Sequence, residues 1–240
     1  LSGPAPTKGI LRLCLGMEGI EPTYDQDSGE WRLSSRCGDL ELSAPVIILA
    51  NSWGASSLGA AGGIIQKRVR GQVTHLPEGD LPGLRCVLTR EGYVIPGVEG
   101  LVSLGATYDF GFEQCELSSD SHRENVNRLT GLVQVTPSEL NRWEVSELGG
   151  RVGFRALTPD RFPVVGPLSR MGQKSGGCRN QPGMFALLGL GSRGIVWSGM
   201  MGELIGAQIE GEPLCLESDL VGAVDPSRFF GRPGLSGGRE

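Results

Sequence analysis

Near the end of the 240-residue chain, "LLGLGSRGIVWSG" (187–199) carries Gly189, Gly191 and Gly194 in the spacing G-x-G-x-x-G. Where a strand runs through such a turn into a helix, unpaired N–H groups and the positive end of the helix dipole meet at one point. That point suits a diphosphate or any electron-rich oxygen. Met184 to Leu190 reads as the strand, and the helix runs from about Gly194 to Glu210, stopped by Gly211 and Pro213. A dinucleotide fingerprint needs one thing more, a second parallel strand bearing an acid for the ribose hydroxyls. Here only Glu212-Pro213-Leu214-Cys215-Leu216-Glu217 and a polar tail follow, so that reading fails. Two alternatives stay open: an oxygen-facing turn, or an ordinary strand-to-helix connection.

Other chemistries have less to work with. The two histidines, His75 and His122, and the six cysteines at 14, 37, 86, 115, 178 and 215 form no C-x-x-C pair and no zinc-ligand spacing, so no metal is expected. Scattered thiols fit a reduced chain in the cytoplasm better than a disulfide framework. No apolar run reaches the eighteen residues of a membrane span. With 22 Lys and Arg against 27 Asp and Glu, the formal charge is -5, which argues against nonspecific binding to nucleic acid.

The elements that must position this turn change character along the chain. Trp31 to Ser34 and Asp39 to Leu42 read as short strands, and the unalternating run Val46 to Ala50 reads as a strand buried on both faces that delivers the turn Asn51-Ser52-Trp53-Gly54. From Lys67 the period becomes two. "KRVRGQVTHLP", "RCVLTREGYVIPG" and "GLVSLGATYDFG" predict an antiparallel sheet. Ser121 with Glu124, and Thr136 with Glu139, predict capping boxes for two helices on one side of that sheet, the first with Val126, Leu129, Leu132 and Val133 on its inner face. "SRMGQKSGGCRNQPG" (169–183) is a polar loop, and the last ten residues read as a disordered tail.

Three signatures in fixed order, "VRGQVTHLP" (69–77), "GYVIPGVEGLVSLGATY" (92–108) and "GFRALTPDRFPVVGP" (153–167), followed by "LLGLGSRGI", resemble the D-amino-acid oxidase and glycine oxidase family of FAD-dependent amine oxidases. Within it the chain is most similar to the branch whose flavin domain accompanies a methyltransferase domain and modifies the wobble uridine of tRNA. The likeness covers nearly the whole chain. It implies a mixed α/β and α+β fold: the C-terminal part of a Rossmann-like FAD-binding domain, interleaved with an antiparallel-sheet substrate domain. The expected division is 1–66 for the remainder of the first FAD segment and 67–152 for the substrate domain. Residues 153–215 return to the FAD domain with the flavin-contacting turn and helix, and 216–240 form a tail.

The family's own diphosphate fingerprint opens its flavin domain, whereas residues 1–28 hold only Gly3, Gly9, Gly16 and Gly19, at other spacings. The chain is therefore expected to lack that N-terminal segment and the methyltransferase domain, and to carry little FAD by itself.

The resemblance also implies roles. Arg155 would hold the substrate's carboxylate in bidentate fashion, assisted by the hydroxyl of Tyr93; the alternatives are a structural ion pair of Arg155 with Asp160 or another acid, and a half-buried sheet position for Tyr93. Ala50, Asn51 and Gly54 would lie in a turn at the cofactor. Arg70, Gly71 and Gln72 would run beside the flavin, and Gly189, Gly191, Ser192, Arg193, Gly194 and Ile195 would approach its ring.

The implied reaction is oxidative removal of the carboxymethyl group from 5-carboxymethylaminomethyl-(2-thio)uridine. Hydride leaves the α carbon for the flavin, and water then releases glyoxylate. A tRNA partner would meet Lys67, Arg68 and Arg70, or Arg170, Lys174 and Arg179, unless the latter loop is only a solvated segment. A small-molecule glycine or sarcosine oxidase and a remnant without catalysis are the competing readings.

Overall fold

A computed structural model of the protein describes residues 13–14, 19–34, 41–58, 64–168 and 182–229. Residues 39–40 of the expected second strand, the loop cations Arg170, Lys174 and Arg179, and the last ten residues lie outside this set.

Three sheets carry the chain. The first is an antiparallel meander of β1 (Glu21–Asp25), β2 (Glu30–Ser34) and β3 (Glu41–Ala44). Its opening strand was not anticipated, although the turn that makes it is written locally. The Asp25 carboxylate accepts the N–H groups of Asp27 and Ser28, and Gly29 takes φ 73° to close the hairpin. Trp31 of β2 is buried and donates its indole N–H to the carbonyl of Pro182 at 2.9 Å, tying the meander to the second sheet.

That second sheet has the order β11-β12-β4, from β4 (Ile47–Leu49), β11 (Val164–Pro167) and β12 (Met184–Leu188). β12 runs parallel to β4 and antiparallel to β11. Leu49, Val164, Met184, Ala186 and Leu188 form its core with Trp31. Helix α3 (Gly194–Glu210) lays Met201, Leu204 and Ile205 against Val165, and Gly211 at φ 70° ends it.

The expected tail from 216 needs correcting. α4 (Ser218–Val224) and the turn Pro226–Phe229 fold back onto β11. The clamp is Arg228, which makes a forked ion pair with Asp160 (2.8 and 3.2 Å) and donates to the carbonyls of Val224 and Phe162. A partner so far back in the chain leaves no mark on the local sequence.

The third sheet runs β10-β5-β8-β7-β6, with β9 also paired to β5. Its strands are β5 (Lys67–Pro77), β6 (Leu88–Thr89), β7 (Tyr93–Val98), β8 (Leu101–Gly105), β9 (Asp109–Phe110) and β10 (Gly150–Leu157). Neighbours are antiparallel, as alternating strands joined by short turns predict. β10 pairs with β5 along its whole length, from Gly150 opposite Thr74 to Leu157 opposite Lys67. It thus crosses residue 153 without a break and keeps Arg155 in the antiparallel sheet.

Alternation gives the sheet two faces. The back face presents Leu76, Val94, Val102 and Leu104 to Val126 and Leu129 of helix α1 (Ser119–Leu129) and to Trp143, with Leu132 and Val133 at the margin. At α2 (Pro137–Leu140), Thr136 and Glu139 bond each other's backbone N–H groups at 3.3 and 2.7 Å. α1 departs from its predicted box. Its N-cap is Ser118, Ser121 lies inside the helix with its hydroxyl turned to Arg70, and Glu124 pairs with Arg128. A buried guanidinium requires acceptors, and that demand outranks a local cap.

His122 of α1 is buried, with Nδ1 2.9 Å from the Thr74 hydroxyl and no partner for Nε2 among the described residues. Burial, then the charges of Arg70 and His75, hold its pKa below the ordinary 6.5. Below pH 6.5 the unfolded chain gains a proton that the folded chain refuses, so the urea midpoint is expected to fall as pH drops below 6.5 toward His122's lowered folded value. In His122→Gln this dependence should be lost; a variant with the same pH profile as the parent would refute the assignment.

Candidate active site

β12 delivers the glycine turn. Gly189 and Gly191 take φ 66° and 59°, a 3-10 turn spans Gly191–Arg193, and α3 begins at Gly194. Both glycines are obligatory on two counts. Their backbone is left-handed, and a Cβ would stand 2.8 Å from Thr158 Cγ2 at Gly189 and 2.6 Å from Leu157 Cδ2 at Gly191. Leu190 pairs with Leu157 in an isolated antiparallel bridge, which joins the turn to the end of β10. No side chain caps α3 and no acid lies in its first turn, so its leading N–H groups keep their positive end. Ile195 and Val196 are 95% and 80% exposed beside it. Gly191, Ser192 and Arg193 line a cleft of about 420 Å³ with Tyr108, Arg161, Phe162 and Trp197.

Arg155 and Tyr93 come together in a second hollow of about 220 Å³, with Gly71, Val73, Ala106, Arg151 and Gly153. It lies on the front face of the antiparallel sheet. The Arg155 guanidinium rests over Gly71, donates from Nη1 to the Thr107 carbonyl at 3.1 Å, and stands 5.3 Å from the centre of the Tyr108 ring. Tyr108, the ring beside Arg155, lines the larger cleft. Asp160, the acid expected to compete for Arg155, is taken by Arg228. Burial works against its ionisation, but the bonds from Arg228 and the Phe162 N–H hold its pKa below the ordinary carboxylate value. No described acid forms an ion pair with Arg155, so its charge is available to a ligand. A still larger hollow of about 440 Å³, around Leu81, Arg85 and Arg142, shares no lining residue with either.

Other predicted residues sit elsewhere. Arg70 and Gln72 face the back of the sheet, and their side chains are spent within the fold. Every guanidinium N–H of Arg70 has an acceptor: the Gln114 and Glu116 carbonyls, Asp109, Ser121 and Gln72. Gln72 accepts from the Ser118 N–H and donates to the Ser118 carbonyl. Arg70 has no N–H left for a cofactor and the Gln72 amide is bonded to Ser118, an arrangement that alternation explains, since only residue 71 of the three points forward.

Ala50 and Asn51 follow β4 and lead into the 3-10 turn Ser52–Ser57, where the Gly54 N–H donates to the Asn51 carbonyl. Sequence reasoning missed the contact that locks this turn to the large sheet. Arg68 is sandwiched between Trp53 and Phe154, 4.2 and 4.1 Å from the ring centres.

Comparison with known proteins shows the family. The family model described as FAD dependent oxidoreductase matches residues 16–208. The tRNA 5-methylaminomethyl-2-thiouridine biosynthesis bifunctional protein MnmC of Azoarcus sp. (strain BH72) is 36% identical over 95% of this chain and 37% of its own length. The protein of that name from Burkholderia vietnamiensis is 37% identical over 86% of the chain and 33% of itself. The chain thus spans about a third of the curated relatives it matches. Among solved structures, glycine oxidase from Geobacillus kaustophilus aligns with a TM-score of 0.67 at 19% identity, covering 88% of this chain and 52% of that one. Iminodiacetate oxidase from Chelativorans sp. BNC1 aligns with a TM-score of 0.60 at 20% identity, covering 82% and 50%. These two share the fold.

The family's cofactor is FAD, and the residues present fit one end of it. An uncapped, acid-free helix start behind a turn that admits no Cβ, flanked by the bare side chains of Ile195 and Val196, suits the oxygen-bearing edge of a flat aromatic ring. Among the described residues no second glycine-rich strand-to-helix turn offers itself to a diphosphate. From the match over residues 16–208, with the fold and the turn in agreement, the chain belongs to the FAD-dependent oxidoreductases.

Proposed function

We propose that the chain carries the substrate-holding half of an amine oxidase that removes the carboxymethyl group from 5-carboxymethylaminomethyl-(2-thio)uridine at the tRNA wobble position, leaving the aminomethyl form. The observation that carries the reading is the Arg155 guanidinium. It is unpaired by any described acid, seated over Gly71, and shares one hollow with Tyr93. The names of the curated relatives supply the tRNA context. In this reading 1–66 and the segment after β10 belong with the flavin, and the sheet from Lys67 to Leu157 belongs with the substrate.

Arg155 binds the carboxylate of the N-carboxymethyl group through two parallel N–H bonds, and the Tyr93 hydroxyl adds a third. The fixed carboxylate sets where the adjacent methylene and amine must lie, which is the entropic part of the catalysis. Bound FAD supplies the two-electron acceptor. The α3 start and the turn at Gly191–Gly194 hold the positive field that favours negative charge on the cofactor's ring edge. Water completes the release of glyoxylate from the oxidised carbon.

The test is glyoxylate release by the flavin-loaded protein from an anticodon stem-loop bearing the carboxymethylated uridine, set beside free glycine and sarcosine. Glyoxylate from the RNA at much higher kcat/KM is expected. Turnover of glycine alone, unaffected by RNA, would replace this reading with a small-molecule oxidase.

A further inference from the structure

One cation in the substrate hollow has no task in the fold. Arg151 stands on the same face of β10 as Arg155, four residues before it, with Gly153 between. Gly153 pairs with Gly71 on β5, so the floor between the two arginines carries no side chain. Arg151 is exposed, lines the same hollow as Arg155 and Tyr93, and takes part in no hydrogen bond or ion pair among the described residues. Both arginines stand on the edge strand of the sheet, and of the two Arg151 is the more exposed to solvent.

A glycine-like ligand has one carboxylate, and Arg155 with Tyr93 suffices for it. A second unpaired guanidinium in the same hollow calls for a second anionic group, which is either a backbone phosphate or another carboxylate. We propose that Arg151 holds a phosphate of the polynucleotide next to the nucleotide whose carboxylate Arg155 takes. The inference rests on the RNA reading above. It also gives an acidic chain, with 27 Asp and Glu against 22 Lys and Arg, a local way to hold RNA without a basic surface. Arginine suits the role because its planar fork matches phosphate oxygens.

The experiment measures fluorescence anisotropy of a labelled short single-stranded oligoribonucleotide bearing the carboxymethylated uridine with this chain over a series of salt concentrations, alongside calorimetry with iminodiacetate as a small dicarboxylate. Arg151→Gln should weaken RNA binding about tenfold at low salt and flatten the log K against log salt slope by about 0.7, the value of one phosphate contact on a single strand. It should leave iminodiacetate binding unchanged. Arg151→Lys should keep the slope, which a merely structural role would not require. If the parent binds RNA and Arg151→Gln alters neither affinity nor slope, the proposal is overturned and the tRNA reading stands. If Arg151→Gln loses iminodiacetate and keeps RNA, the second anion is a carboxylate and the proposal is overturned. If the parent binds no RNA, both fall.

Discussion

Gly71→Ala is expected to lower kcat/KM for a carboxymethylated amine by roughly a hundredfold, mostly through KM, while barely changing stability. A Cβ at this position would stand 2.8 Å from Cζ and Nη2 of Arg155 and closer still to Nη1. The obstructing atoms are the far end of a flexible side chain, so the guanidinium swings aside and the strand stays where it is. Arg155 then loses both its seat and its bond to the Thr107 carbonyl. Hydrogen bonds to a charged group are worth about 1.5–3 kcal/mol each in mutational series, and about 2.7 kcal/mol is a hundredfold. The measurement is steady-state glyoxylate release with a urea melt beside it. A normal KM in a well-folded Gly71→Ala protein would sink the placement of the carboxylate, and a collapsed melt would mean that the strand, rather than the arginine, yields.

Arg70→Leu is expected to cost about 3–5 kcal/mol of folding stability, a large part of the 5–15 kcal/mol typical of a domain. Arg70 is 3% exposed, and its removal strands Asp109, Ser121 and the carbonyls of Gln114 and Glu116. Asp109 also accepts from the Thr107 hydroxyl, and the Thr107 carbonyl accepts from Arg155. The damage therefore passes through the sheet to the substrate side. A urea midpoint within experimental error of the parent would show that these bonds are replaceable by water. Arg70→Lys should recover only part of the loss, because an ammonium has three donors where this site uses five.

These two neighbours also mark how far the sequence can be read. "RGQ" in a two-residue period places Arg70 and Gln72 on one face and Gly71 on the other. The string alone cannot say which face meets a helix that begins at Ser119, because that choice is made by contacts some fifty residues away. The strands from Lys67 to Phe110, the α3 helix and its glycine stop were legible because alternation, helical spacing and left-handed glycine act locally. The helix at Ser218 was not legible, since its anchor is the ion pair of Arg228 with a distant Asp160. The meeting of Arg155 with Tyr93 was reached through family likeness, and spacing alone would have missed it. Arg151 lay in plain view on the same strand but gained meaning only when Gly153 and Gly71 were found paired beside it.

The bridge between Leu157 and Leu190 has a consequence for the length of substrate that can react. Arg155 lies two residues before one end of that bridge, and Gly191 lies next to the other. On the proposed function, the carboxylate anchor and the ring-facing turn are therefore joined through one bridge, which opposes their separation to suit a longer ligand. Such a link is a gauge. On the proposed function it is set for one carbon between carboxylate and amine, and a homologue with an additional methylene is expected to bring the wrong carbon to the reacting position, displaced by about 1 Å or more, and to react roughly a hundredfold more slowly.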